Sequence, residues 1–251
     1  MKLTKEPDHD WATKAQTVWE RKSGLREYYH IQIFDRIVSE IITGTVLQLG
    51  TGPGFFARYH SGMINSDITL YDQVDTVADV HSLPFKDACF DNVVGVDVLH
   101  HFARPGDAMK ECARILRPGG RVILVEPWAG WMGRHFFKYI HHEDCANVED
   151  PWSNAFPGTK KPMEGNAAIP AIVFHERVHE LPKYVPDLHF LKKWHFGSLS
   201  FLLTGGMQEI GLPAPIIRFF YRLEGLLPQA VMGFIALRAL FVLEKRHHHR
   251  G

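Results

Sequence analysis

The chain has 251 residues, of which 45% are hydrophobic and 22% are charged. A chain of this length can bury a full core, and the composition suits one α/β domain with an insertion. The 28 basic and 28 acidic residues cancel, and no Lys/Arg-rich arm is present to contact phosphates. We therefore expect no nucleic-acid partner.

The predicted elements alternate along the chain. Apolar residues at helical spacing predict a helix over 26–42. Strands are expected near 45–50, 67–72, 92–98 and 121–126. The helix between the last two strands carries an apolar face of Ala108, Met109, Cys112, Ile115 and Leu116. This alternation predicts a parallel, doubly wound sheet whose ligand crevice lies at the carboxyl ends of its strands.

A run of alternating glycines interrupts the pattern directly after the first predicted strand. Gly50, Gly52 and Gly54 stand between an apolar run and an amphipathic stretch, the layout of a nucleotide-binding strand, turn and helix. Glycine is needed there because a tight turn uses positive φ, and because a ligand lying against the backbone leaves no room for a Cβ atom. The turn therefore predicts a bound nucleotide or nucleoside.

The glycines alone leave two classes of enzyme open. Gly52, Gly54 and Ala57 satisfy the dinucleotide pattern G-x-G-x-x-A, typical of NAD(P)-dependent oxidoreductases. Read from Gly50, the same run resembles motif I of the class I S-adenosylmethionine (SAM) methyltransferases. In either case we expect Asp72, at the end of the second predicted strand and beside Gln73, to accept the ribose hydroxyls.

Three later blocks separate the two classes. Residues 78–85 and 89–102 resemble "D-x-x-x-L-P-F … F-D-x-V … V-L-H-H", and residues 111–127 resemble "E-x-x-R-V-L-K-P-G-G" with the following strand. These passages are similar to the methyltransferase subfamily that includes the ubiquinone and menaquinone C-methyltransferases. The resemblance implies a mostly parallel, Rossmann-like sheet with helices on both faces, and SAM as the cofactor. It also implies that Asp79 meets the adenine amino group and that the backbone at Val80 meets the ring.

One position departs from the family pattern. Motif I usually carries an acid where this chain has Gln48, and glutamine keeps a carbonyl acceptor but loses the charge. We therefore expect weaker SAM binding, and a non-catalytic SAM-binding or interaction protein stays open as an alternative. The expected cofactor-binding residues are Gln48, Gly50, Gly52, Gly54, Asp72, Gln73, Asp79, Val80 and Asp97.

The candidate catalytic residues are His100 and Glu126. His100 follows the strand predicted near 92–98, with His101 beside it, and a histidine pKa near neutrality suits a general base. The alternative is that one histidine packs on SAM or the core while the other caps a helix. Glu126, at the end of the strand predicted near 121–126, is either a substrate partner or a structural acceptor. His141 and His142 are weaker candidates.

Residues 128–198 are rich in aromatic residues, histidines and prolines with weak periodicity. We interpret them as a lid or substrate wall, the place where this family carries insertions, against a plain surface excursion. Within it His175-Glu176-Arg177-Val178-His179 matches a zinc-protease signature. Pro170 and Pro182 confine any helix there to little more than two turns, so we expect no metal site.

The remaining segments complete the domain. Residues 1–44 are the predicted N-terminal helical segment, 45–127 the SAM-binding core, 199–246 its C-terminal completion and 247–251 a tail. An aromatic-arginine helix near 216–224 could rest on a membrane surface, although such spacing more often marks core or a homodimer interface. The run 225–237 is uncharged but too short to span a bilayer.

The sequence as a whole predicts a cytoplasmic SAM-dependent methyltransferase. Cys89, Cys112 and Cys145 are too few and scattered for a disulfide framework or metal knuckle, and the polar N-terminus shows no signal peptide. The expected acceptor is a small molecule, of lipophilic or glycan-related character. The acceptor atom stays open.

Overall fold

The computed structural model describes residues 9–140, 144–156 and 164–247. His141, His142 and most of the predicted tail lie outside the described residues. No helix within the described ranges is long and apolar enough to cross a membrane.

Seven strands and eleven α-helices make up the described chain. The strands are β1 Val46–Leu49, β2 Ile64–Asp67, β3 Thr76–Val77, β4 Phe90–Val96, β5 Leu116–Pro127, β6 Leu188–Phe196 and β7 Arg238–Lys245. The helices are α1 His9–Arg21, α2 Ser23–Tyr28, α3 Asp35–Glu40, α4 Phe55–Tyr59, α5 Pro105–Ile115, α6 Trp131–Tyr139, α7 Ile169–Ala171, α8 Leu181–Tyr184, α9 Leu199–Thr204, α10 Ala214–Glu224 and α11 Gln229–Ile235. Two π-helical turns, Tyr29–Phe34 and Ile172–Glu176, and two 3₁₀ turns, Leu99–His101 and Val178–Glu180, join them.

The strands form one sheet in the order β3-β2-β1-β4-β5-β7-β6. Strands β1 to β5 pair in parallel, and β7 runs antiparallel between β5 and β6. The predicted doubly wound, mostly parallel sheet is therefore confirmed. Because β6 and β5 run in the same direction, the carboxyl ends of β1, β2, β4, β5 and β6 all meet one edge.

Each face of the sheet is covered by its own group of elements. Side chains such as Leu47, Leu124 and Phe241 point to one face and pack with α5, α7, α8 and α11. Alternate residues such as Val94 and Val125 point to the other face and pack against the N-terminal helical segment and α10. This alternation is the expected consequence of the two-residue period of a strand. The core therefore lies in two layers around a buried sheet.

The predicted helix over 26–42 is a continuous helical run in the structure, but it is not uniform. It begins in α2, passes through the π-helical turn Tyr29–Phe34 and ends in α3 at Glu40. The extra residue of a π turn shifts which side chains face the sheet. Tyr28, Ile33, Phe34 and Ile37 are all buried as a result.

The second predicted strand was misplaced. It was expected over 67–72, but β2 ends at Asp67, and residues 71–74 form a turn closed by a hydrogen bond from Val74 N–H to the Tyr71 carbonyl. The alternation of Ile68, Leu70 and their polar neighbours resembles a strand, yet Ile68 and Leu70 are exposed. Side chains exposed in this way are not held by a partner strand, so the periodicity there did not indicate sheet pairing.

The insertion after β5 is more than a surface segment. Trp152 is fully buried and stacks on Tyr184, with ring centroids 5.4 Å apart. The side chain of Asn166 bonds the backbone of Ala146 and Ala168, which ties two parts of the insertion together. Its far end, moreover, is β6, an edge strand of the sheet. The predicted boundary at residue 198 therefore falls after a strand that belongs to the sheet itself.

Candidate functional site

The turn after β1 has the backbone that a bound nucleoside needs. Gly50, Gly52 and Gly54 all adopt positive φ, at +61°, +50° and +78°. A Cβ atom on Gly50 would strike Val98, and one on Gly54 would strike Gln73, so these two glycines are required by packing. A Cβ atom on Gly52 would meet nothing within 4 Å. The space beside Gly52 is therefore the open part of the turn, where a ligand can approach the backbone.

Gln48 lies on β1 directly before this turn and is buried. Its backbone carbonyl accepts a hydrogen bond from Ser66 Oγ at 2.9 Å, which fixes β1 to β2. Its side-chain oxygen Oε1 is buried and has no donor among the described residues. A buried acceptor without a partner is costly, and the α-amino group of the methionine moiety of SAM would satisfy it. The position therefore fits the cofactor even without the usual acid.

Asp67, not Asp72, is the carboxylate at the end of β2. Asp67 Oδ2 accepts a hydrogen bond from Gly52 N–H at 2.8 Å, and Oδ1 accepts one from Thr69 N–H at 2.9 Å. Burial raises the pKa of Asp67 above its ordinary value, while these backbone donors oppose the shift. Asp72 is exposed in the turn beyond the strand, next to Gln73. The sequence pattern did not indicate Asp67 because it placed the end of the strand at residue 72, five residues too late.

Asp79 and His81 form a small polar unit beyond β3. Asp79 Oδ1 lies 2.7 Å from His81 Nδ1 and also accepts the His81 backbone N–H. His81 Nε2 in turn accepts the backbone N–H of Arg104, so the imidazole proton is on Nδ1. Burial opposes ionisation of Asp79, but the bonds from His81 and the charge of Arg104 outweigh it and lower its pKa. Oδ2 carries none of these bonds, which suits an acceptor for an adenine amino group.

Asp97 directly follows β4 and is held by a residue from β7. Its φ is +56°, an uncommon conformation outside glycine, and its backbone N–H bonds the carbonyl of Val125. Both carboxylate oxygens lie 2.5 Å from the guanidinium of Arg238, which is buried. Burial raises the pKa of Asp97, but the Arg238 charge outweighs this and holds it below the ordinary value. The pair joins β4 to β7 across the sheet edge.

His100 and Glu126 face each other in the interior. Glu126 is fully buried, and its Oε1 accepts the backbone N–H groups of Val98 and Leu99 at 2.9 and 2.8 Å. Its Oε2 lies 2.7 Å from His100 Nδ1. Both oxygens are thus engaged in shaping the turn after β4. This geometry agrees with the structural-acceptor alternative for Glu126, and a catalytic role of His100 stays a prediction.

A group of three side chains has a spacing that a metal ion could use. One ligand atom each of Asp97, His100 and Glu126 lies within 4.8 Å of the others. Each carboxylate, however, already faces a specific donor. The two oxygens of Asp97 meet Arg238, and those of Glu126 meet two backbone N–H groups and His100. We therefore interpret this group as a hydrogen-bonded network that fixes the crevice wall.

A cavity of about 620 Å³ opens further along the same edge of the sheet. Its wall begins at Trp128, the residue that follows β5, and continues along α6, the π turn 172–176, the end of β6 and α11. The indole N–H of Trp128 donates to the Gly233 carbonyl at 2.8 Å, which sets the distance between β5 and α11. The lining is mostly apolar, and its polar members are Arg134, His175, Glu176, His195 and Gln229.

The histidines of this cavity are held in the neutral form. Burial, with the charge of Lys193, lowers the pKa of His195 to about 4 and also lowers the pKa of His175. Lys193 Nζ lies 2.9 Å from His175 Nδ1, so His175 carries its proton on Nε2. His195 Nε2 is buried with no partner among the described residues. The cavity therefore offers neutral imidazole groups beside an indole face.

The five-residue zinc-protease signature does not form a zinc site. The helix is interrupted at Arg177, where φ is −116° and ψ is +25°, so the two histidines do not share a helical face. Glu176 is ion-paired with Arg134, and the His179 side chain is 74% exposed. Of the two histidines, His175 lines the cavity and His179 does not.

Comparisons with known proteins agree with this geometry. Residues 47–124 match a family described as "Methyltransferase domain". The chain is 39% identical over 83 residues to a Bos taurus protein named "Probable tRNA methyltransferase 9B", covering 32% of this chain and 17% of that protein. It is 28% identical over 159 residues to an uncharacterized methyltransferase-like protein of Schizosaccharomyces pombe, covering 53% and 61%. The chain spans less than a fifth of the length of the first curated relatives it matches.

Two solved structures show the same fold. A Thermotoga maritima SAM-dependent methyltransferase superposes with a TM-score of 0.55 at 14% identity, covering 96% of this chain and 100% of that one. The methyltransferase in a complex with the Haloferax volcanii Trm112 activator superposes with a TM-score of 0.53 at 19% identity, covering 97% and 98%. At these identities the likeness concerns the fold.

Residues 47–124 therefore match a methyltransferase domain, and the chain has the fold of a solved SAM-dependent methyltransferase. These findings bear out the predicted methyltransferase domain with SAM as its cofactor.

Proposed function

We propose that this protein transfers the methyl group of SAM to a small organic acceptor bound in the cavity between α6 and α11. The observation that carries this proposal is the cavity itself, whose volume of about 620 Å³ lies in the range of small-molecule sites. It opens at the same edge of the sheet as the glycine turn.

The cavity and the cofactor crevice are neighbours along that edge. β5 is separated from β1 only by β4, and adjacent strands lie about 4.8 Å apart, so Trp128 begins about 10 Å from the end of β1. An extended cofactor that starts at Gly52 can bridge this separation. The turn after β4, with Asp97 and His100, lies between the two sites.

The lining indicates what kind of acceptor fits. Trp128, Trp131 and Phe234 offer aromatic surface, and Trp131 and Phe234 stack with ring centroids 4.8 Å apart. Among the polar members, His175 presents an N–H donor with Lys193 behind it, which suits an oxygen atom carrying negative charge. A largely apolar, planar molecule with an oxygen substituent fits this combination best.

When bound, SAM supplies a sulfonium-bound methyl carbon that an acceptor can displace directly. The contribution of the protein is to hold the acceptor atom in line, and orientation alone can lower such a barrier by several kcal/mol. Gln48, Asp67 and Asp79 hold the donor side. His175 would donate its Nε2–H to the acceptor oxygen, and the neutral ring of His195 would orient the acceptor beside it. An acceptor bound as its anion releases no proton on methyl transfer.

A nucleic-acid acceptor is the second candidate, since relatives of this chain carry the name of tRNA methyltransferases. Those relatives match over only about a third of this chain. Transfer to tRNA needs phosphate contacts, whereas the formal net charge here is zero and the cavity wall is apolar. The chemistry of the lining therefore favours a small molecule. We place the reaction in the cytoplasm, where the free thiols of Cys89, Cys112 and Cys145 would stay reduced.

The proposal is tested by methyl transfer from labelled SAM to a panel of phenols, carboxylic acids, amines and unmodified tRNA. Small aromatic acceptors are expected to be methylated and tRNA is not. Ala230→Trp, at the cavity wall, is expected to raise the acceptor KM while leaving SAM affinity unchanged. Binding of SAM with no transfer to any acceptor would instead support a non-catalytic SAM-binding protein. Efficient transfer to tRNA would overturn the small-molecule assignment.

The two histidines of the zinc-protease signature, His175 and His179, provide a matched pair of variants. His175→Ala removes an N–H donor from the cavity and should lower kcat/KM roughly tenfold, the cost of one hydrogen bond to a charged group. His179→Ala changes an exposed histidine and should leave kcat/KM unchanged. Equal effects of the two substitutions would remove His175 from the proposed site.

A further inference from the structure

The mouth of the cavity is surrounded by exposed apolar side chains. On α6 these include Trp131 and Tyr139, with Ile140 next along the chain, and on the other side Phe234 belongs to α11. The turn before α11 adds Leu226, which is 80% exposed, and Leu227. We call this set the mouth surface: Trp131, Tyr139, Ile140, Leu226, Leu227, Val231 and Phe234.

The mouth surface is continuous across the two helices. The Trp131 ring stacks on Phe234, and on its other side lies 4.7 Å from the His135 ring, which is 6.3 Å from Tyr139. Positions 131, 135 and 139 follow one face of α6 because successive turns of a helix place i and i+4 together. Soluble domains rarely leave such a row exposed without a binding partner.

The two segments that carry this surface hold basic charges and no acidic ones. Residues 131–140 and 225–235 contain no aspartate or glutamate, and their charged residues are Arg134 and Lys138. Arg134 is paired with Glu176. Lys138 and the nearby Arg222 form no ion pair within the part of the chain that the structure describes, and both are exposed.

We propose that the mouth surface docks on an anionic lipid bilayer and lies in its interface without spanning it. Such a bilayer offers apolar chains to the leucines and phenylalanine, and negative headgroups to Lys138 and Arg222. Tryptophan and tyrosine, as at Trp131 and Tyr139, favour the membrane interface. A second copy of the chain is a poorer match, since a two-fold contact would bring these cations together without a carboxylate between them.

Docking in this way turns the cavity toward the membrane. Trp131 and Phe234 belong both to the cavity lining and to the mouth surface, so the cavity opens inside the docked face. An acceptor dissolved in the bilayer could then enter without crossing water. This consequence rests on the proposed function and narrows the acceptor to a lipophilic aromatic molecule. Docking itself does not depend on methyl transfer.

Docking is tested by co-sedimentation of the intact chain with lipid vesicles, in the absence of any acceptor. Binding is expected to mixed phosphatidylcholine and phosphatidylglycerol vesicles, to be weaker for phosphatidylcholine alone, and to decrease as salt rises. The double variant Leu226→Glu, Leu227→Glu should weaken binding roughly tenfold or more, because two apolar contacts become repulsive. SAM affinity measured on the same variant should be unchanged, which shows that it is folded.

A matched control uses exposed apolar residues elsewhere. Ile68→Glu, Leu70→Glu alters two exposed side chains beyond β2 and should leave vesicle binding unchanged. Failure of the native chain to bind anionic vesicles, or equal losses in both double variants, would overturn the proposal. So would a concentration-dependent dimer in sedimentation velocity that Leu226→Glu, Leu227→Glu abolishes in a chain that binds no vesicles. Loss of methyl transfer with retained vesicle binding would count against the proposed function alone.

Discussion

The two halves of the carboxyl edge of the sheet are constructed differently. Around β1, β2 and β4 the site consists of backbone groups and short polar side chains, such as the Gly52 N–H, Asp67 and Asp79, with directed hydrogen bonds. Around β5 and β6 it consists of aromatic and apolar side chains from four separate elements that line an open cavity. We therefore expect the first half, the proposed cofactor half, to hold its ligand through a local motif, and the second half, the proposed acceptor half, to hold its ligand through tertiary packing.

This difference also predicts which substitutions affect each half. Local hydrogen bonds depend on a few consecutive residues, whereas the cavity depends on the distance between α6 and α11 set by Trp128. Changes in the first half should act on SAM, and changes in the second on the acceptor. The ion pair of Asp97 with Arg238 connects the halves, because it joins β4 to β7.

The largest expected effect comes from this connection. Asp97→Asn should keep the positive φ, which asparagine tolerates, while leaving Arg238 buried without a counter-charge. Breaking a buried pair in this way costs about 3 kcal/mol in the free energy of unfolding. Urea unfolding monitored by circular dichroism measures the change, and a loss below about 1 kcal/mol would show that the halves are not coupled through this pair.

The same pair predicts a pH dependence. The folded-state pKa of Asp97 is lowered, so its stabilisation is present above the unfolded-state value of about 3.9 and is lost as pH falls through the folded-state pKa. The native chain should therefore lose stability in acid more steeply than Asp97→Asn. Parallel curves of unfolding free energy against pH for the two proteins would contradict the assignment.

Gly52→Val should abolish SAM binding without unfolding the protein. A valine at φ +50° costs about 1–2 kcal/mol, but its Cβ meets no protein atom, so the branch occupies the ligand space. Affinity for SAM should fall at least about a hundredfold by calorimetry. Gly62→Val is the control, since Gly62 also has positive φ and open surroundings but lies before β2, at the opposite edge. Comparable losses in the two variants would contradict the assigned cofactor turn.

Asp67 and Asp72 provide a sharper comparison within the cofactor half. Asp67→Ala should cost about 1.5–3 kcal/mol of SAM affinity, because it removes a charged acceptor beside Gly52. Asp72→Ala should change affinity far less, since that side chain is exposed beyond the strand. A SAM analogue that lacks a ribose hydroxyl should lose little additional affinity in Asp67→Ala, because the carboxylate that contacts the hydroxyl is already absent. If the losses of affinity from the analogue and from Asp67→Ala were additive, Asp72 would again be the expected ribose partner.

The smallest expected effect concerns Gln48. Gln48→Glu should strengthen SAM binding by about 1 kcal/mol through attraction to the methionine ammonium, and the gain should shrink as salt rises. Since Gln48 is buried, the same change should lower the stability of the protein without SAM. Gln48→Met, which removes the acceptor and keeps the size, should weaken SAM binding. Acceptor preference should be identical in all three proteins, and a shift in preference would place Gln48 in the acceptor half.

The cofactor half was largely predictable from the sequence. The glycine turn, the strand before it and the helix α5 follow from short patterns whose meaning is local. Asp79 and the glycines could be proposed as cofactor residues because each stands within a few residues of its structural context. Asp67 was misjudged because strand periodicity alone cannot place the last paired residue.

The acceptor half could not be predicted in the same way. Trp128, His175, His195 and Phe234 are spread over more than a hundred residues and meet only when β5, β6 and α11 pack together. The candidate catalytic residues, His100 and Glu126, lie at or near the ends of β4 and β5 in the sequence. In the structure their side chains point inward and bond each other. Nothing in the sequence of β7 indicated that Arg238 would be the ion-pair partner of Asp97.

The sequence by itself determined the class of fold, the cofactor and the glycine turn after β1, because these depend on backbone conformations that glycine permits and on hydrogen bonds between near neighbours. Only the tertiary structure decided which carboxylates reach the crevice, which histidines enter the cavity and which apolar side chains stay exposed. Those outcomes depend on distances between elements remote in sequence, and such distances are set by the packing of the whole core.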